Sequence, residues 1–129
     1  MSLKTGAWKM NENGREDTLT IGGVDPTSGQ VTGSLGIAGD FTGIWDETSR
    51  TLTFVPVGVI GMPIGMAPPP QPVYKALLFS TPRNPVPGQD VVWTLAGFVQ
   101  ITDLGTATVM GGNARRNVFG WFAQITEVA

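Results

Sequence analysis

Apolar and polar residues alternate in five short segments of the first half of the chain. Around Phe41 and Trp45, for example, these two side chains share one face and Thr42 lies on the other. An alternation of period two predicts a β-strand with one buried face. Turn sequences rich in Gly, Pro, Asn and Asp separate the segments, which favours antiparallel pairing of successive strands. The five predicted strands span residues 5–10, 17–24, 30–35, 40–46 and 50–57.

The strands predicted in the second half are apolar on both faces. In one of them, Trp93 and Leu95 alternate with Val92 and Phe98. A barrel has one dry interior, so such a strand needs a second apolar contact on its outside. We therefore expect a homodimer or homotetramer formed through the C-terminal strands. These predicted strands span residues 73–81, 90–102 and 117–126, with a weak candidate at 105–110.

A long apolar loop separates the two halves at residues 58–72. Its sequence, "GVIGMPIGMAPPPQP", carries no charge, and its prolines and glycines exclude a central strand or helix. Long loops inside a domain are usually functional or covered by another element. We expect a lid over the barrel mouth or an arm that docks on another subunit. The alternative is that the loop folds back over the apolar outer face of its own chain.

The chain length fits a single domain over residues 1–129. A chain of this size buries a sizeable core without disulfides. Eight short meandering strands predict an all-β, eight-stranded antiparallel up-and-down barrel, which encloses side chains or one ligand. Residues 1–3, Met-Ser-Leu, are typical of a remnant of recombinant expression.

Composition removes most reaction chemistries. The chain has no Cys and no His, which removes thiol nucleophiles, imidazole bases and the usual zinc ligands. The formal net charge is -2 and the eight basic residues are scattered, so we expect no nucleic-acid partner. No apolar stretch is long enough to span a bilayer and no signal peptide is recognisable, which favours a cytoplasmic location without a membrane partner. We expect no cofactor, metal site or catalytic residue.

Several local phrases, in their order along the chain, resemble the avidin and streptavidin family. The family's first hairpin is similar to "GAWKMNENG" with "TLTI", and its third strand to "SGQVTGSL". The segment "FTGIWDE" resembles the family's next strand. The segments "TLTFVPV" and "VVWTLAGFVQI" occupy the places of its fifth and seventh strands. Lipocalin-like proteins also open with Gly-x-Trp, but they are larger and usually contain cysteines. The resemblance implies an avidin-like barrel with a ligand site inside it.

The hydrogen-bonding residues for biotin that the resemblance implies are not retained. The first-strand asparagine falls at or beside Met10, and only Asn11, one step away, is placed to replace it. Leu35 replaces the tyrosine that would donate a hydrogen bond to the ureido oxygen, and Ile37 replaces the next serine. A site built around a polar ligand group loses much affinity when its partners are missing. We therefore expect a degenerate pocket without the family's high affinity for biotin.

Three tryptophans lie on inward faces by alternation, and they are the candidate aromatic walls of any ligand cavity. As plain core residues, the same side chains would give an identical pattern. With the amide from the first strand, the candidate ligand-binding residues are Asn11, Trp45, Trp93 and Trp121.

These observations favour a non-catalytic barrel that binds a small, largely apolar molecule or acts as an oligomeric scaffold. The alternative is a structural or protein-interaction module that uses loop 58–72 and the C-terminal strands. A carboxylate-only enzyme ranks below both, because the alternation places no acid on an inward face.

Overall fold

The computed structural model describes residues 2–36, 38–57, 72–103 and 115–129. These residues form eight antiparallel strands, and each strand pairs with its neighbours along the chain to close a barrel. The all-β up-and-down barrel expected from the alternation is confirmed. The described residues contain no helix long and apolar enough to span a membrane. The strands are β1 (Gly6–Glu12), β2 (Arg15–Val24), β3 (Gln30–Leu35), β4 (Gly39–Asp46), β5 (Thr51–Pro56), β6 (Val73–Thr81), β7 (Asp90–Asp103) and β8 (Arg115–Val128).

Strand direction gives the barrel two distinct ends. The terminal end holds both chain termini and the β2–β3, β4–β5 and β6–β7 connections. The loop end holds the β1–β2 and β3–β4 connections, and β5 and β7 also finish there. The two ends therefore differ in which parts of the sequence they bring together.

The first and last strands close the barrel over a short ladder. Their register runs from Lys9 opposite Gln124 to Glu12 opposite Trp121. The β7–β8 ladder is much longer, with 14 residues in each strand. At the loop end, the β7–β8 hairpin therefore extends past the point where β1 stops pairing with β8.

Alternate residues of the strands fill the interior with apolar side chains. Trp8, Phe41 and Phe54 are among the largest of the fully buried ones. An eight-stranded barrel is just wide enough for side chains to fill it. The interior is therefore a hydrophobic core with a strong aromatic contribution.

The N-terminal segment packs against the terminal end. Leu3 is buried among the core side chains, and the carbonyl oxygen of Lys4 accepts a hydrogen bond from Nε1 of Trp8 at 3.1 Å. The Lys4 ammonium lies 5.0 Å from the centroid of the Trp93 ring and 2.9 Å from Oε1 of Glu127. A cation over an indole ring is attracted by the electrons of the ring face. Leu3, which the sequence groups with a remnant of expression, is thus part of the core.

Strand bounds differ from the sequence-based ones mainly at the loop end. β1 continues two residues past its predicted end, and β8 begins two residues before its predicted start. Glu12 pairs with Arg15 on one side and with Trp121 on the other, so the ladders continue into residues that look like a polar turn. The weak candidate strand 105–110 lies outside the described residues, as does loop 58–72 apart from its last residue.

Candidate functional site

The four predicted ligand-binding residues lie in different parts of the barrel. Trp45 and Trp93 are buried near the terminal end, and Trp121 is buried toward the loop end. Each of the three indole N–H groups donates to an oxygen of the chain itself. Asn11 lies on the outer wall of β1, where its Oδ1 accepts a hydrogen bond from the backbone N–H of Gly14 at 2.9 Å.

The interior toward the loop end is occupied by an aromatic cluster made of Phe41, Phe54, Tyr74 and Trp121. The rings of Phe54 and Tyr74 are stacked, with centroids 4.6 Å apart and planes 2° from parallel. Trp121 meets both rings edge-on, at 5.7 and 5.8 Å, and Phe41 lies 4.4 Å from Phe54. None of the four is more than 4% exposed, so the rings pack against one another and their surroundings rather than around accessible space.

A carboxylate also faces the interior at this end, contrary to the expectation that no acid does. The hydroxyl of Tyr74 donates to Oε1 of Glu12 at 2.9 Å, and Arg15 Nη2 lies 3.0 Å from Oε2 of the same side chain. The Glu12 side chain is only 12% exposed. Sequence reasoning missed it because it ended the first strand at Met10. If the alternation is continued for two more residues, Glu12 falls on the same face as Trp8 and Met10. This alternation was the sequence signal that could have identified Glu12.

Burial and the Glu12 carboxylate both affect the acidity of Tyr74. Loss of water around the phenol, then the hydrogen bond to Glu12 and its negative charge, raise the pKa of Tyr74 well above its usual range. The phenol therefore stays neutral and acts as a hydrogen-bond donor. A group of this kind is suited to holding a carboxylate in place, and it is a poor proton acceptor.

Large apolar side chains lie exposed on the outer wall of β6, β7 and β8. Leu77 is opposite Ala96, which in turn is opposite Phe122, so one row crosses all three strands. Lys75 contributes a positive charge among them. We call this surface the β6–β8 face. Its large apolar members are between 43% and 56% exposed, namely Leu77, Phe79, Phe98, Val118 and Phe122.

A surface cleft of about 540 Å³ lies on the outer wall where β2, β1 and β8 are adjacent. We call it the β1–β8 cleft. It borders the β6–β8 face through Phe122, and its other walls are mainly polar or charged. Among its lining residues are Lys9, Asn11, Glu16, Thr18, Phe122 and Gln124.

Two further clefts among the described residues lie elsewhere on the barrel. One of about 770 Å³ is at the terminal end beside Leu3 and Trp45. One of about 380 Å³ is on the wall of β3, β4 and β5 beside Ile44 and Thr53. Of the aromatic cluster, Phe54 borders the smaller of these clefts, and the larger cleft is lined by other residues.

The described residues contain no group of three or more Asp or Glu side chains arranged to hold a metal ion. The acids of the first hairpin illustrate why: Glu12 faces inward, whereas Glu16 lines the outer cleft. Comparison with protein-family models, with curated proteins and with solved structures gave no match.

Proposed function

We propose that this chain is a non-catalytic barrel of avidin-like type that associates with further copies of itself and acts as a scaffold. The observation that carries the proposal is the β6–β8 face. Over the nine residues of β6, about 30 Å, the three strands lie about 4.8 Å apart and cover roughly 400 Å² of the barrel wall. An apolar patch of this size is about the largest that a typical monomer exposes, and such patches often mark interaction sites.

A second copy of the chain is the partner that fits this face best. Lys75 is the one charged residue among the outward positions of β6, so contact between two copies through this strand brings few like charges together. Phe79 and Phe98 supply rigid rings of the kind enriched in the centres of interfaces, and Phe122 lies at the edge of the face beside the β1–β8 cleft. Phe98 and Phe122 project from the long β7–β8 ladder, whose main-chain hydrogen bonds hold their backbone in place.

The interior supports a non-catalytic role. The rings of the aromatic cluster are nearly inaccessible, and the Tyr74 hydroxyl among them is already hydrogen-bonded to Glu12. Tyr74 keeps its proton at neutral pH, and the chain has neither His nor Cys to serve as a base or nucleophile. The pocket of the resembled family is therefore proposed to be degenerate here.

Two matched charge insertions test the proposal. Leu77 on the β6–β8 face is 56% exposed, and Ile44 on the outer wall of β4 is 54% exposed. We expect Leu77→Glu to lower the molar mass measured by light scattering to that of one protomer, because it places an unpaired charge in the interface. Ile44→Glu should leave the assembly intact. Equal molar masses for the two variants and the parent would contradict the proposal.

A second candidate function is the binding of a small, largely apolar molecule at the loop end. It is favoured by the inward carboxylate of Glu12, which lies beside the aromatic rings and would exchange its bonds to Tyr74 and Arg15 for bonds to the ligand. Indole, an apolar ring with one N–H donor, is a suitable test ligand. We expect it to raise the unfolding midpoint of the parent and of the outward-facing control Glu16→Gln but not of Glu12→Leu. The absence of any shift in the parent would exclude this candidate.

A further inference from the structure

The β1–β8 cleft combines an exposed ring with polar side chains at regular spacing. In one row across the strands, Glu16 is opposite Asn11 and Asn11 is opposite Phe122. In the next row on the same face, Thr18 is opposite Lys9 and Lys9 is opposite Gln124. Neighbouring strands lie about 4.8 Å apart, so the two rows form a grid of functional groups.

Hydrogen bonds within the chain orient both amides of this grid. Asn11 uses its Oδ1 to accept from Gly14, which leaves its two N–H donors outside that bond. Gln124 uses its Nε2 to donate to Oγ1 of Thr94 at 3.2 Å, which leaves its oxygen as an acceptor. The cleft therefore presents a fixed donor and a fixed acceptor. Because these two side chains are already ordered, little side-chain entropy is lost when a ligand binds.

Two charged groups extend the set. Lys9 and Glu16 are exposed, and neither forms an ion pair with another part of the described chain. Lys9 adds three N–H donors, and Glu16 adds a carboxylate acceptor. The cleft thus holds donors and acceptors together, with one aromatic ring at its side.

Phe122 supplies the apolar part of the cleft. Its side chain is 45% exposed, although it alternates with the buried residues Trp121 and Ala123. Directly opposite, Asn11 is polar, so the ring stands at the border between a polar and an apolar surface. A ligand that lies over this border needs one apolar face and several hydroxyl groups.

We propose that the β1–β8 cleft is a carbohydrate-binding site that takes a pyranose ring. The C–H face of the sugar lies on the ring of Phe122, and its hydroxyl groups exchange hydrogen bonds with Asn11, Gln124 and Lys9. A purely apolar ligand would strip water from these groups without replacing its hydrogen bonds. A simple anion would meet Glu16 and Asp17 in the same cleft. The volume of about 540 Å³ lies within the range of small-molecule sites.

Saturation-transfer NMR with four simple sugars tests the proposal on the full chain. The ligands are methyl β-glucopyranoside, methyl β-galactopyranoside, methyl α-mannopyranoside and N-acetylglucosamine. We expect at least one to bind with a Kd of about 1 mM or tighter, as a small open site of this kind allows. Binding of none of the four would overturn the proposal.

Two phenylalanines give a matched pair for locating the site. Phe122 lines the cleft, whereas Phe79 is 46% exposed on the same outer face but does not line it. We expect Phe122→Ala to weaken sugar binding at least fivefold and Phe79→Ala to leave it unchanged. Both residues belong to the β6–β8 face, so any indirect effect of self-association on sugar binding should be similar in the two variants. Equal losses in the two variants would overturn the proposed site.

Asn11→Asp tests the polar half of the cleft without removing the turn hydrogen bond. The aspartate retains an oxygen for the backbone N–H of Gly14 but has no N–H donor for a sugar hydroxyl. We expect at least a threefold loss of affinity with little change in the unfolding midpoint. Full affinity in this variant would overturn the assignment of Asn11. The free amino acid phenylalanine serves as a ligand of a different class. If it binds at Phe122 and none of the sugars binds, the proposal is overturned.

Discussion

The phenol of Tyr74 donates a hydrogen bond to Oε1 of Glu12 across 2.9 Å, although 62 residues separate the two in sequence. Their strands, β6 and β1, are not neighbours in the barrel. The bond therefore crosses the interior and ties two parts of the wall together. On the other side of the carboxylate, Arg15 forms an ion pair, and because the Arg15 side chain is 58% exposed, we expect this pair to contribute little to stability.

Replacing Glu12 with Ala should destabilise the fold, because it leaves the buried Tyr74 hydroxyl without its acceptor. The expected loss is about 1–3 kcal/mol in the free energy of unfolding. Denaturation in urea measures it, with Glu16→Ala on the outer wall as the control. A Glu12 variant as stable as the control would show that the bond across the interior is unimportant.

Stability should fall as the pH rises above about 10, the usual pKa of a tyrosine. The pKa of Tyr74 is raised in the folded chain, chiefly by burial and then by Glu12, so the unfolded chain releases this proton first. Below pH 10 both states keep the proton and the contribution is constant, and above it the folded state loses stability. Unfolding midpoints from pH 8 to 11 in the parent and in Tyr74→Phe measure the effect. The slope should be smaller in Tyr74→Phe, and equal slopes would be inconsistent with this origin.

Alternation along the chain was sufficient to predict the eight strands and the inward position of most large apolar residues. Trp45, Trp93 and Trp121, for example, are all buried as the pattern indicates. Periodicity predicts burial here because each strand has one face in the core and because side chains alternate strictly between the two faces.

The polar groups were harder to place from the sequence. Whether Glu12 faces in or out depends on how far the β1 ladder continues, and main-chain pairing with β2 and β8 decides this. Its bond to Tyr74 depends on the closed barrel and not on local sequence. Asn11, selected for its nearness to the family's ligand position, is one residue out of phase with the interior and lines the outer cleft instead.

Adding one methyl group at Gly97 should disrupt the barrel. A Cβ there would overlap the backbone oxygen of Lys75 and lie 2.7 Å from the Cα of Ala76. Gly120, in the adjacent strand, has its nearest neighbouring atom 4.0 Å away. We expect Gly97→Ala to lose at least about 3 kcal/mol of stability or to be insoluble, as overpacking against rigid backbone exceeds usual core costs. Gly120→Ala should fold normally, and similar stability in both variants would show that the strands separate easily.

Biotin should bind weakly or not at all. Met10 and Leu35 are buried where the resembled family has hydrogen-bonding side chains, and the aromatic cluster occupies the interior toward the same end of the barrel. An unsatisfied ureido group would lose most of its binding free energy in such surroundings. Isothermal titration calorimetry should detect no nanomolar binding. A nanomolar Kd would mean that other groups have replaced the missing donors.

Sedimentation equilibrium of the unmodified protein tests the central proposal of self-association most directly. One protomer has a mass of 13.6 kDa. If copies associate through the β6–β8 face, the measured mass at micromolar concentrations should be twice or four times that value. A mass of one protomer at every concentration would contradict the proposed scaffold.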